Sequence, residues 1–95
     1  MKRVRIIVSG RVQGVFYRAE TKKMADKLKV KGFIRNVNNN VEAVFEGGDK
    51  DVDKLVEFCR NGPIGAIVED IRILEEKYKN EFKDFEIRTK GFDTS

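Results

Sequence analysis

Residues 4–28 read Val4-Arg5-Ile6-Ile7-Val8-Ser9-Gly10-Arg11-Val12-Gln13-Gly14-Val15-Phe16-Tyr17-Arg18-Ala19-Glu20-Thr21-Lys22-Lys23-Met24-Ala25-Asp26-Lys27-Leu28, and a change of period inside them decides the fold. Val4 to Val8 is rich in β-branched residues and stops at Ser9-Gly10. That pattern predicts a strand whose Ile6 and Ile7 point to opposite faces, both of which can be covered. Beyond Gly14 the period lengthens. Tyr17, Thr21, Met24, Ala25 and Leu28 follow helical spacing among lysines, predicting a helix of about three turns.

Working outward, Gly32 offers the left-handed residue that ends this helix, and Phe33 to Val37 returns to a strand pattern. Asn38-Asn39-Asn40 predicts a tight hairpin turn, because asparagine tolerates positive φ, and leads into a third strand from Val41 to Glu46 closed by Gly47-Gly48. Asp49 or Asp51 can cap a second helix. Its Val52, Leu55, Val56 and Cys59 form one apolar stripe, stopped at Asn61-Gly62-Pro63, which assigns Cys59 to the core. From Ile67 to Leu74 the chain alternates, with Ile67, Ile71 and Ile73 on one face and Asp70 and Arg72 on the other, as in a half-buried strand. Phe85 to Arg88 fits one more short strand. The order strand, helix, strand, strand, helix, strand predicts an α+β fold, the ferredoxin-like βαββαβ sandwich: an antiparallel sheet with two helices packed on one face. No internal repeat, low-complexity segment or linker interrupts it, so residues 1–95 read as a single domain with a core of about 4–88 and a short tail, 89–95.

Composition narrows the chemistry. The 95 residues are 40% hydrophobic and 38% charged, enough for a small core under a charged surface and too apolar for a disordered chain. Twenty Lys and Arg against 16 Asp and Glu give a net charge of +4, which suits anionic ligands without singling out nucleic acid. A lone cysteine excludes an internal disulfide, and the absence of histidine removes the commonest zinc ligand and the commonest general base. No apolar run approaches the roughly 20 residues that span a bilayer. Met1-Lys2-Arg3 leads straight into the first strand rather than into an apolar leader, so the expected address is cytoplasmic.

The stretch from Gly10 to Arg18 joins a strand to a helix start, a place that collects anions. Free backbone N–H groups there carry partial positive charge, glycine lets the chain curl, and Arg18 offers a planar two-pronged donor. By spacing alone, Gly10 and Gly14 can equally do no more than make the turn, with Arg18 on a helix surface. Their spacing matches neither the P-loop nor the dinucleotide fingerprint. Asn36, near the end of the second strand, is a second candidate. Asparagine is disfavoured in strands, so it either opens the hairpin turn or its side chain has a task, such as holding a water through its carbonyl oxygen.

Gly10-Arg11-Val12-Gln13-Gly14-Val15-Phe16-Tyr17-Arg18 resembles the first signature of the acylphosphatase family, and Gly32-Phe33-Ile34-Arg35-Asn36 is similar to the second. Gly62-Pro63 through Ala66 and Val68, then Phe85-Glu86-Ile87-Arg88, resemble later landmarks, so the likeness runs from about Val4 to Arg88. Three departures lie outside the two motif residues Arg18 and Asn36. The hairpin has Asn39-Asn40 where the family usually carries a glycine, Phe33 stands where Trp is common, and the tail from Thr89 to Ser95 extends further. The resemblance implies an acylphosphatase, a hydrolase of carboxyl–phosphate anhydrides. It implies that Arg18 and backbone N–H groups of Gln13, Gly14, Val15, Phe16, Tyr17 and Arg18 hold the phosphate, while Asn36 positions the attacking water. A carboxylate leaving group needs little protonation, which suits a site without histidine. The expected partner is a small acyl phosphate, with no nucleic acid, membrane, cofactor or metal, acting on a monomer.

Two rival classes share parts of this pattern. A nucleic-acid-binding module of the same element order needs stacked aromatics on its central strands, and the third strand offers Phe45 alone. A non-catalytic binding domain accounts for the loop but gives Asn36 nothing to do, and a piece of a larger maturation enzyme is disfavoured by the free-standing length.

Overall fold

The computed structural model describes residues 1–14 and 16–89. Five strands and two helices follow in the order β1 (Lys2–Arg11), α1 (Tyr17–Leu28), β2 (Lys31–Val37), β3 (Asn40–Gly47), α2 (Asp49–Asn61), β4 (Ile67–Glu76) and β5 (Phe85–Arg88). They build one sheet in the order β4-β1-β3-β2-β5. The first four strands pair antiparallel, giving the expected ferredoxin-like arrangement. β5 adds to β2 in parallel, so the complete sheet is mixed rather than wholly antiparallel. The cause is the segment between β4 and β5, which returns the chain across one end of the sheet. There the Lys79 and Glu81 amides donate to the Glu46 carboxylate, each at 2.9 Å, and Phe82 sets its ring edge-on to Phe33.

Alternation fixes the two faces of the sheet. Val4, Ile6 and Val8 of β1 lie level with Phe45, Ala43 and Val41 of β3, and all six are buried beneath the helices. α2 buries Val52, Leu55, Val56 and Cys59 against them, and α1 buries Tyr17, Thr21 and Ala25. Cys59 is a core residue as expected, and burial pushes its thiol up to about 12. Removing such side chains from water supplies the main drive to fold, about 1.5–3 kcal/mol for each large one fully buried. The other face is held by charge. Arg3 bonds Glu76 and Glu46, Arg5 bonds Glu76 and Glu42, and Arg35 bonds Glu42, while the Arg88 guanidinium lies 3.9 Å from the Phe33 ring centroid.

Three local details differ from the sequence pattern, each for a reason of backbone geometry. Lys29, not Gly32, takes the left-handed position after α1, at φ 60°, and its amide and that of Val30 reach back to Asp26 and Ala25. Gly32 lies inside β2 at φ 142°, where an added Cβ would fall 1.8 Å from the Val44 carbonyl oxygen. The glycine therefore serves close strand approach, not helix termination. Neither Asp49 nor Asp51 caps α2: Gly48 occupies that place without a side-chain bond, and the two aspartates fall in the first turn, favourable to the helix dipole. In β4 the register with β1 shifts between Ser9 and Gly10, a bulge that switches faces, so Val68 and Ile71 pack on the core while Ile67 is 56% exposed. Among the described residues, no helix is long and apolar enough to cross a membrane.

Candidate active site

α1 begins abruptly. Phe16 precedes it in the left-handed conformation, φ 59° and ψ 22°, and makes no side-chain cap bond. An aromatic residue in that region costs about 1–3 kcal/mol, a strain held where the surroundings impose it. The first amide with an acceptor in the helix is that of Glu20, 3.0 Å from the Phe16 carbonyl, so the amides of Tyr17, Arg18 and Ala19 have none within α1. Gly14, at φ 74° with nothing within 4 Å of a would-be Cβ, turns the chain toward this helix start. The result is a curl of exposed donors with the helix dipole behind it, the physical requirement for holding an anion. Val15 falls outside the described residues.

Two buried side chains fix the curl from below. Val12 is 1% exposed, and the Tyr17 hydroxyl, buried, donates to the Cys59 carbonyl of α2. Burial raises the Tyr17 phenol well above its ordinary value, so it remains a donor. Gln13 ties the curl sideways: its side-chain Nε2 donates to the Asn38 carbonyl at 3.0 Å and the Asn40 carbonyl at 2.7 Å. The loop is thereby anchored to the β2–β3 hairpin. Asn38, at φ 56°, forms the turn there as the asparagine run predicts.

Arg18 is the second residue of α1 and borders a cavity of about 310 Å³, together with Gly14, Phe16, Tyr17, Ile87 and Thr89 among others. Among the described residues, its guanidinium enters none of the ion pairs of the chain, unlike Arg3, Arg5, Arg35, Arg60 and Arg88. Asn36 pairs with Val41 across the hairpin, which puts it in line with Val8 on the helix-covered face and at the end of the sheet where β1 runs into the loop. Arg18 and Asn36 thus share one face and one end. Arg35 pairs with Arg88, so the next step along both strands brings Asn36 level with Thr89, at the rim of the same cavity. The Asn36 Oδ1 is buried and, among the described residues, has no hydrogen-bond partner. A buried amide oxygen left unpaired costs about 1–3 kcal/mol, so this atom is an acceptor in want of a donor.

Of the predicted positions that are described, Gly14, Phe16, Tyr17 and Arg18 line this cavity, Gln13 ties the loop to the hairpin, and Asn36 lies outside the lining, on the same face and at the same end of the sheet. Ile87 and Thr89 were not singled out by sequence; the alternation of Phe85 and Ile87 points inward, but the tail gives no sign that Thr89 ends beside Asn36. Among the described residues, no three His, Cys, Asp or Glu side chains gather where a metal ion could sit.

A model of the acylphosphatase family matches residues 4–87. This chain belongs to the acylphosphatase family. An acylphosphatase of Syntrophus aciditrophicus is 52% identical over 88 residues, covering 92% of either chain. One from Pyrobaculum aerophilum is 48% identical over 89 residues, covering 92% of this chain and 94% of its own length. Among solved structures, the acylphosphatase of Bacillus subtilis superimposes with a TM-score of 0.88 at 36% identity, over 94% of this chain and all of that one. Membership in the acylphosphatase family agrees with the hydrolase class and ferredoxin-like fold expected from the two motifs.

Proposed function

We propose that this acylphosphatase-family chain hydrolyses acyl phosphates to a carboxylate and inorganic phosphate, by in-line attack of a water held by Asn36 on a phosphoryl group held by Arg18 and loop amides. The observation that carries the reading is the buried Asn36 Oδ1, unpaired among the described residues, on the same sheet face and at the same end as a cavity bordered by the start of α1 and by Arg18, whose guanidinium enters no ion pair among those residues.

The substrate phosphate takes the backbone donors of residues 13–18 and both prongs of Arg18, which neutralise its charge and fix its orientation. Asn36 accepts a hydrogen bond from the water and turns a lone pair toward phosphorus. Phosphoryl transfer passes through a loose transition state with charge on the equatorial oxygens, so orientation and preplaced donors supply most of the catalysis. The water oxygen bonds to phosphorus, the bond from phosphorus to the acyl oxygen breaks, and the carboxylate leaves with that electron pair. The water's proton passes to a phosphate oxygen of the substrate, so the reaction needs no side-chain base. Residues 1–95 act as one domain in this reading, as a cytoplasmic monomer binding neither nucleic acid nor metal.

Hydrolysis of a synthetic aromatic acyl phosphate in oxygen-18 water, with a metal chelator present, tests this. The expected label is in inorganic phosphate, at an undiminished rate. Label in the carboxylate instead, or activity that returns only with added metal, refutes the mechanism.

A further inference from the structure

A second concavity, of about 500 Å³, adjoins the first. Its walls are Phe16 and Glu20 from the start of α1, Phe58 near the end of α2, and Pro63 and Ile64 in the turn between α2 and β4. Phe16 borders both cavities and is 79% exposed, and Ile64 is 100% exposed. A lone exposed apolar side chain means little, but two large ones facing one groove beside a reactive site are a different matter. The turn is held against the loop: a Cβ placed on Gly62 would lie 3.7 Å from the Tyr17 ring.

Direction selects the occupant. Asn36 is on β2, and Ile87 and Thr89 at and beyond β5 close the first cavity on that side. α2 packs over β1, β3 and β4, whereas α1 packs over β2 and β5. In-line displacement puts the leaving group opposite the attacking water. With the water at Asn36, the acyl oxygen departs away from β2, toward the groove. We infer that this groove seats the acyl group and that the chain selects acyl phosphates whose acyl part is uncharged and apolar, an aromatic ring above all. The inference rests on the proposed placement of phosphate and water. Among the described residues, Glu20 is the one charged group on the groove wall, and it disfavours acyl groups that carry a second carboxylate.

Steady-state kinetics on benzoyl phosphate and acetyl phosphate, comparing the parent with Ile64→Ser and Ile64→Leu, test it, with inhibition by inorganic phosphate measured alongside. Ile64 is fully exposed, so neither variant threatens folding. Ile64→Ser raises KM for benzoyl phosphate about three- to tenfold with kcat unchanged, because the groove binds ground state and transition state alike. Acetyl phosphate kinetics and phosphate inhibition stay at parent values, and Ile64→Leu behaves as the parent. An unchanged KM for benzoyl phosphate, or an equal rise for both substrates, overturns the acyl seat while leaving phosphate hydrolysis intact. Unchanged kinetics with loss of a dimer in sedimentation makes the groove an interface between copies and also overturns it. A parent inactive on both substrates removes the proposed reaction itself.

Discussion

Arg18 differs from most arginines of this chain in entering no ion pair among the described residues, and that freedom is what an anion site needs. Arg18→Ala is expected to lower kcat/KM by roughly 10²-fold or more, and to abolish inhibition by inorganic phosphate in the same assay. Arg18→Lys recovers little of either, since an ammonium cannot make the two-pronged grip. Full activity in the lysine variant contradicts the bidentate role. Arg18 was legible in the sequence because its motif is long. Asn36 was legible from spacing only as an oddity, an amide in a strand, and three dimensions add that its oxygen is buried without a partner among the described residues. Lys29 and Gly32 show the opposite case. Both are at positive φ, but which one ends the helix depends on how closely β2 approaches Val44, which no local pattern records.

Between elements, the decisive link is Gln13, whose side chain joins the loop after β1 to the hairpin that follows Asn36. Gln13→Ala is expected to cost about 1–2 kcal/mol of unfolding free energy, measured by urea titration, for two lost bonds to backbone carbonyls. Its kcat falls severalfold while phosphate inhibition changes little, because the water's support drifts relative to the phosphate's. Equal losses in both would make Gln13 a simple part of the anion site. The elements themselves were readable where one face alone is buried, as in α2 with its stripe from Val52 to Cys59. β4 was the hardest to read. It is an edge strand with a bulge opposite Ser9 and Gly10, so its alternation breaks where pairing, not sequence, sets the register.

Across the whole molecule, the face without helices depends on ionised carboxylates. Burial alone would raise Glu46, but the Lys79 and Glu81 amides and the Arg3 guanidinium outweigh it and hold the carboxyl below its usual value of 4.5. Hydrogen bonds from Arg3 and Arg5 lower Glu76 in the same way. A carboxylate lowered in the folded state contributes stability that is present above its unfolded value and lost as pH falls through the folded one. Unfolding free energy, followed by denaturant titration from about pH 7 to about pH 3, should therefore drop once pH passes below 4.5. Glu76→Gln makes the drop shallower, and a parent profile flat across that window contradicts the account. The same sheet carries the catalytic proposal on its other face, where one group holds the anion and another aims the water. Titration of inorganic phosphate into the parent, Arg18→Ala and Asn36→Ala by calorimetry separates those duties. Asn36→Ala should bind phosphate within about twofold of the parent despite a kcat reduced by roughly 10²-fold or more, while Arg18→Ala shows no binding. Loss of phosphate affinity in Asn36→Ala equal to that in Arg18→Ala would contradict it.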